Sequence, residues 1–139
     1  MIQKIHHIGL AVRSLDEALE AYLALGLHVE GTAQIAEQSV KVAFLPVGET
    51  HLELLEPTSE SSPVAKFLAG RGEGMHHICL AVSDIEAALA ELKQQGLRLI
   101  DEKPRTSAGG ARIAFVHPSG MHGVLIELHE ESPCRSKEA

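Results

Sequence analysis

Two histidines and two glutamates stand at matched places in the two halves of this chain, and together they make a donor set for a divalent metal. His7 is answered by His77, 70 residues on, and Glu53 by Glu127, 74 residues on. Two imidazole nitrogens and two carboxylate oxygens suit a first-row divalent cation and leave coordination positions open for substrate oxygens. Taken singly, each residue has a plainer reading. A strand histidine is most often a hydrogen-bonded structural residue, and a strand glutamate flanked by leucines most often faces water. Nine histidines in 139 residues also make chance neighbours common. Repetition is what lifts these four above that background. No phosphate-cradling glycine pattern, Cys-x-x-Cys pair or nucleophile elbow competes with them. Gly109-Gly110 is a weak signal, either a hairpin turn or a set of amides that meets an anionic group.

The four residues belong to a longer internal repeat. His6-His7-Ile8-Gly9-Leu10-Ala11-Val12 returns as His76-His77-Ile78-Cys79-Leu80-Ala81-Val82, and 10 of the 22 positions from 6 to 27 recur without a gap. Two copies are too few for a solenoid, so the repeat reads as a duplicated module. Period-2 alternation predicts a strand over 5–12, with His7, Gly9 and Ala11 on one face and His6, Ile8 and Leu10 on the other. Ser14-Leu15-Asp16-Glu17 then opens a helix that ends at Gly26. Strands are expected over 27–36, 40–47 and 51–56, and a short helix near 64–69. The second half repeats the order, with a strand over 75–82, a helix over 84–95 capped by Ser83 or Asp84, and strands over 97–101, 112–117 and 123–129. Each module is therefore βαβββ. The expected fold class is α+β, two tandem βαβββ modules forming one metal-centred, concave eight-stranded sheet.

In this register the histidines of the first strands are followed only by small residues, leaving space where a packed core would want leucine. Alternation puts Glu53 between His51 and Leu55, and Glu127 between Leu125 and His129, while Leu52, Leu54, Ile126 and Leu128 turn to the helix-covered face. His7, His77, Glu53 and Glu127 thus share the face that the helices leave free. His6 and His76 fall on the opposite face and read as structural. His28, His117 and His122 have no matched partner.

Composition narrows the remaining classes. The length fits a single domain over 1–139, with module one at about 3–57, a linker at 58–74, module two at about 75–130 and a frayed tail at 131–139. A net charge of −7 and only four aromatic residues argue against nucleic-acid or anionic-membrane partners. The two cysteines, Cys79 in a strand and Cys134 in the tail, make no disulfide framework and suggest a reducing compartment. With no long apolar run, the expected location is the cytoplasm.

Several segments resemble the vicinal oxygen chelate superfamily, whose members pair βαβββ modules around a metal. They are the opening His6–Val12 strand, Glu53-Leu54-Leu55-Glu56-Pro57 with Ser62-Pro63-Val64-Ala65-Lys66-Phe67-Leu68, Met75-His76-His77-Ile78-Cys79, and Gly109-Gly110 through Phe115-Val116-His117-Pro118 to Gly123-Val124-Leu125-Ile126-Glu127-Leu128. The Glu-Leu-Leu-Glu-Pro and His-Pro to Glu-Leu runs are more specific, and they are similar to the methylmalonyl-CoA epimerase family. The resemblance spans roughly residues 3–130. It implies metal ligands at His7, Glu53, His77 and Glu127, the same four reached from the repeat. It implies 1,1-proton transfer between the 2R and 2S epimers of an acyl-CoA through a metal-stabilised enolate, with cobalt favoured among Co, Mn, Zn, Ni and Mg, and a homodimer. Glu127 is the first candidate base, and Glu53 or His51 the candidates for the opposite face. One departure stands out. Some epimerases carry a second catalytic glutamate on the middle strand, where this chain has Val42. The alternatives are a glyoxalase-type lyase or another metal-dependent member of the superfamily, and, from a different class, a metal-free binding protein of the same fold.

Overall fold

The computed structural model describes residues 1–131. Most of the expected tail, with Cys134, lies outside the described residues. The elements follow the expected order. The first module comprises β1 (Ile2–Ala11), α1 (Leu15–Ala24), β2 (Gly31–Ile35), β3 (Val40–Val47) and β4 (Thr50–Pro57). After α2 (Pro63–Arg71), the second comprises β5 (Gly74–Val82), α3 (Ile85–Gln94), β6 (Arg105–Thr106), β7 (Arg112–Val116) and β8 (Leu125–Glu130). Hydrogen bonding orders the strands β2-β3-β4-β1-β5-β8-β7-β6 in one eight-stranded sheet. The α+β class and the paired βαβββ modules are as expected. Among the described residues two compact units emerge, residues 7–77 and, separately, residues 1–6 with 78–131.

Within the first unit, β1 runs parallel to β4 with His7 opposite His51, Gly9 opposite Glu53 and Ala11 opposite Leu55. β3 lies antiparallel on the far side of β4 and sets Phe44 against Glu53 and Val42 against Leu55. Because strand side chains alternate faces, this register sorts the apolar residues into two clusters. Leu45, Leu54 and Ala43 pack with Leu15, Ala18, Leu19 and Tyr22 beneath α1. On the opposite face, Ala11, Val42 and Leu55 pack with Val64 and Leu68 of α2. Only one end of that face is thus covered, and the polar residues lie one and two pairs further along the strands. α2 starts where it does because Ser62 accepts the Val64 N–H at 3.1 Å and Pro63 occupies the first turn, where its missing N–H costs nothing.

The second unit repeats the helix-covered face, with Ile85, Ala88 and Leu89 of α3 against Val82, Ala114 and Leu128. Helix starts repeat as well. Ser14 Oγ accepts from Glu17 N, and Asp84, not Ser83, caps α3 by accepting from Ala87 N. A second pair of caps comes from the last strand of each module. Glu56 accepts from Leu15 N and Glu130 from Ile85 N, each at 2.7 Å.

The second module departs from expectation between 97 and 106. No strand forms over 97–101; a single bridge joins Leu99 to Val116. There the backbone N–H groups of Ile100 and Asp101 both point at the Phe115 carbonyl, while the Asp101 carboxylate takes the Phe115 N–H at 2.9 Å. A side chain that occupies the ladder donor ends the pairing, and β7 gains its outer neighbour only at Arg105 and Thr106. In the first module the strand expected over 27–36 is shortened to Gly31–Ile35.

Candidate metal centre

Gly9 makes room for the site. A Cβ placed there would lie 2.5 Å from His77 Nδ1 and closer still to the ring carbon Cε1, so the imidazole of His77 occupies the space that the missing side chain leaves. His77 then meets His7, whose strand position two residues earlier puts it on the same face. The two Nε2 atoms lie 3.0 Å apart, and the rings meet edge to face. Both side chains are buried, at 5% and 8% exposure. Glu53 completes the group, with Oε2 3.3 Å from His7 Nδ1. Ligand atoms of His7, Glu53 and His77 all fall within 4.8 Å of one another.

The partners of these three residues hold them in place. His51 donates from Nε2 to Glu53 Oε2 at 2.9 Å and stacks on His7 at 5.2 Å between centroids. Phe44, opposite Glu53 in the β3–β4 register, abuts the His51 ring. On the other side of the pair, His76 Nδ1 lies 3.0 Å from His77 Nδ1 and edges onto Phe67 of α2. Metal-bound imidazoles generally use their second nitrogen in this way, which fixes ring orientation and tautomer. His76, expected to be only structural, is a supporting partner of the site. The signal for it was present in the sequence, since the histidine doublet recurs intact.

The donor set fits a divalent ion of zinc or magnesium size. Cis ligands of an octahedral ion at about 2.1 Å would lie about 3.0 Å apart, and those of a tetrahedral ion about 3.4 Å. The Nε2 pair matches the first spacing and needs only a small shift for the second. In the hydrogen bond between them one Nε2 donates and the other accepts, whereas a bound ion would need the lone pairs of both.

Of the sequence candidates, His7, Glu53, His77 and His51 are brought together in one compact unit. Glu127 lies in the other unit, on β8 opposite Phe115, and is buried at 7% exposure. Val42 is 1% exposed and sealed beneath α2, and it brings no titratable group to this end of the face. Three basic residues are held in ion pairs. Lys41 lies near Glu56, Arg105 pairs with Asp101, and Arg112 bridges Glu86 and Glu130.

Residues 6–115 match the glyoxalase/bleomycin resistance protein/dioxygenase superfamily, and the chain belongs to it. The ethylmalonyl-CoA/methylmalonyl-CoA epimerase of Cereibacter sphaeroides is 37% identical over 133 residues, covering 94% of this chain and 99% of that protein. Within the superfamily the chain is therefore a member of the methylmalonyl-CoA epimerase family. Solved structures agree. A variant of the Streptomyces coelicolor methylmalonyl-CoA epimerase in complex with 2-nitronate-propionyl-CoA superposes with a TM-score of 0.87 at 41% identity, covering 96% of this chain and all of that one (100%). The Mycobacterium tuberculosis methylmalonyl-CoA epimerase gives 0.89 at 37%, covering 99% and 93%.

Proposed function

We propose that this protein interconverts the 2R and 2S epimers of methylmalonyl-CoA by 1,1-proton transfer at carbon 2. The observation that carries the reading is the His7, Glu53 and His77 group, its two histidines buried, in a chain of the epimerase family. A solved epimerase that superposes on this chain with a TM-score of 0.87 and 41% identity is in complex with methylmalonyl-CoA. We assign His7, Glu53 and His77 as metal ligands and Glu127 as the fourth. Support for Glu127 is its place in the repeat, where Ile126-Glu127-Leu128 answers Leu52-Glu53-Leu54, and its burial. When bound, a divalent cation supplies Lewis-acid stabilisation of the charge that develops on the thioester and carboxylate oxygens; cobalt is the first choice among Co, Mn, Zn, Ni and Mg.

The chain's own residues must move the proton. Epimerisation needs an acceptor on one face of carbon 2 and a donor on the other. Glu127 is assigned to one face. For the other, His51 and Glu53 form a hydrogen-bonded pair in which the imidazole can restore a proton to the carboxylate. That pair takes on the role left vacant by Val42. The substrate is an acyl-CoA, the assembly a homodimer and the location the cytoplasm. Among the described residues, no helix is long and apolar enough to cross a membrane.

The test is proton exchange at carbon 2 of methylmalonyl-CoA in deuterated water, followed by NMR with metal-saturated protein. Exchange from either epimer is expected, together with convergence to a mixture of the two. Absence of exchange, alongside turnover of a methylglyoxal–thiol adduct, would replace the reading with the lyase one.

A further inference from the structure

A second group of metal-ligating side chains lies in the other compact unit, on residues that the epimerase reading does not use. His6 of β1, Cys79 of β5 and His129 of β8 each place a ligand atom within 4.8 Å of the other two. The rings of His6 and His129 stack with centroids 3.9 Å apart and planes 22° from parallel. Their Nε2 atoms converge on one carboxylate oxygen, Glu131 Oε1, at 3.1 and 3.3 Å. Cys79 has no exposed surface and is in no disulfide.

An ordinary surface ion pair explains part of this arrangement. Two imidazoles beside a largely exposed carboxylate are common and contribute little. It does not explain the rest. His129 Nε2 is closed off from solvent and makes no hydrogen bond; the approach of Glu131 is an ion-pair distance without hydrogen-bond alignment. A ring nitrogen buried in that state carries a desolvation penalty that one largely exposed carboxylate at 3.3 Å offsets only in part. A bound cation would offset it.

We propose that His6, Cys79 and His129, with Glu131 as fourth donor, form a second metal site, selective for a borderline-soft divalent cation of the zinc class. One thiolate, two imidazoles and a carboxylate are a four-coordinate zinc donor set, and the sulfur disfavours magnesium and calcium. The sulfur also separates this site chemically from the nitrogen- and oxygen-only group at His7, Glu53 and His77. Binding forms the metal–sulfur bond with loss of the Cys79 thiol proton to solvent. Bound metal would tie the first part of β1 to β5 and β8 within this unit.

The experiment is cobalt titration of the metal-stripped full chain, read by optical absorption. A thiolate-to-cobalt charge-transfer band should grow in the near ultraviolet and saturate at one band-bearing ion per chain. Zinc should bleach it and magnesium should not. Cys79→Ser and His129→Ala should each abolish the band, while Cys134→Ser and His77→Ala should keep it; the His77→Ala arm separates this site from the epimerase centre. Circular dichroism of each variant checks folding, and His129→Ala decides the matter where Cys79→Ser does not fold. Absence of the band in the wild-type chain would overturn the proposal. So would a full band in Cys79→Ser or His129→Ala, or its loss in Cys134→Ser.

Discussion

Gly9 and His77 set the tightest constraint on single residues. Gly9→Ala puts a methyl group into the His77 ring, so the ring must move or the strands must part. Overpacking of this kind costs about 1–3 kcal/mol, and the displaced ring should no longer reach the metal. Both effects are measurable, as a lowered Tm and as lost metal retention on gel filtration. His76→Ala should leave the fold in place and weaken metal binding by about 10–100-fold, the usual effect of removing a partner of a ligating imidazole; competition with a chelator reads it. Glu127→Gln addresses the chemistry. It keeps size and a carbonyl donor but cannot accept a proton, and loss of a positioned base costs about 10²–10⁴-fold. Metal-saturated Glu127→Gln should therefore lose exchange at carbon 2 from either epimer. Exchange near the wild-type rate would make Glu127 a ligand only and pass the role to the His51–Glu53 pair.

At the scale of elements, the duplicated helices are tied down from a distance. Glu56 and Glu130 end the fourth strand of their modules and each accepts the first N–H of the helix that follows the first strand. Glu130 is also held by the Nε and Nη2 atoms of Arg112 at 3.1 and 2.9 Å, whereas Glu56 has only an exposed lysine at 3.8 Å. Truncation should therefore be unequal. Glu56→Ala should cost about 1 kcal/mol, the worth of a helix cap, and Glu130→Ala somewhat more, since Arg112 loses one of its two carboxylates and keeps only Glu86. Urea unfolding of the two variants with an unchanged m-value tests the difference. These long-range caps were not legible in the sequence. The local candidates Ser14 and Asp84 were, because a cap three residues from its target leaves a pattern and one 41 or 45 residues away does not.

For the whole molecule, a cation that binds only the folded chain must stabilise it by mass action. At 100 times its dissociation constant, the gain is about 2.7 kcal/mol. Chelator-stripped protein should therefore melt several degrees below the metal-loaded form, and the difference should shrink in His77→Ala, which keeps the group at His6, Cys79 and His129. The proposed homodimer has its own measure: light scattering at micromolar concentration should give twice the 14.9 kDa chain mass, and a monomer mass would count against it.

Duplication, strand and helix order, and the placing of His7, Glu53 and His77 on one face could be read from residue identity alone. A two-residue period assigns faces without knowledge of the fold, and a repeat marks which polar residues are more than incidental. Tertiary structure decided the rest. It placed α2 over Ala11, Val42 and Leu55, so that only part of the free face is left to the site. It set the His77 ring against Gly9, ended the ladder at Asp101, and gathered His6, Cys79, His129 and Glu131 from distant stretches of chain. Each of these depends on pairing register and on side chains meeting across strands far apart in sequence. Periodicity says which way a residue points, and only packing says what it meets there.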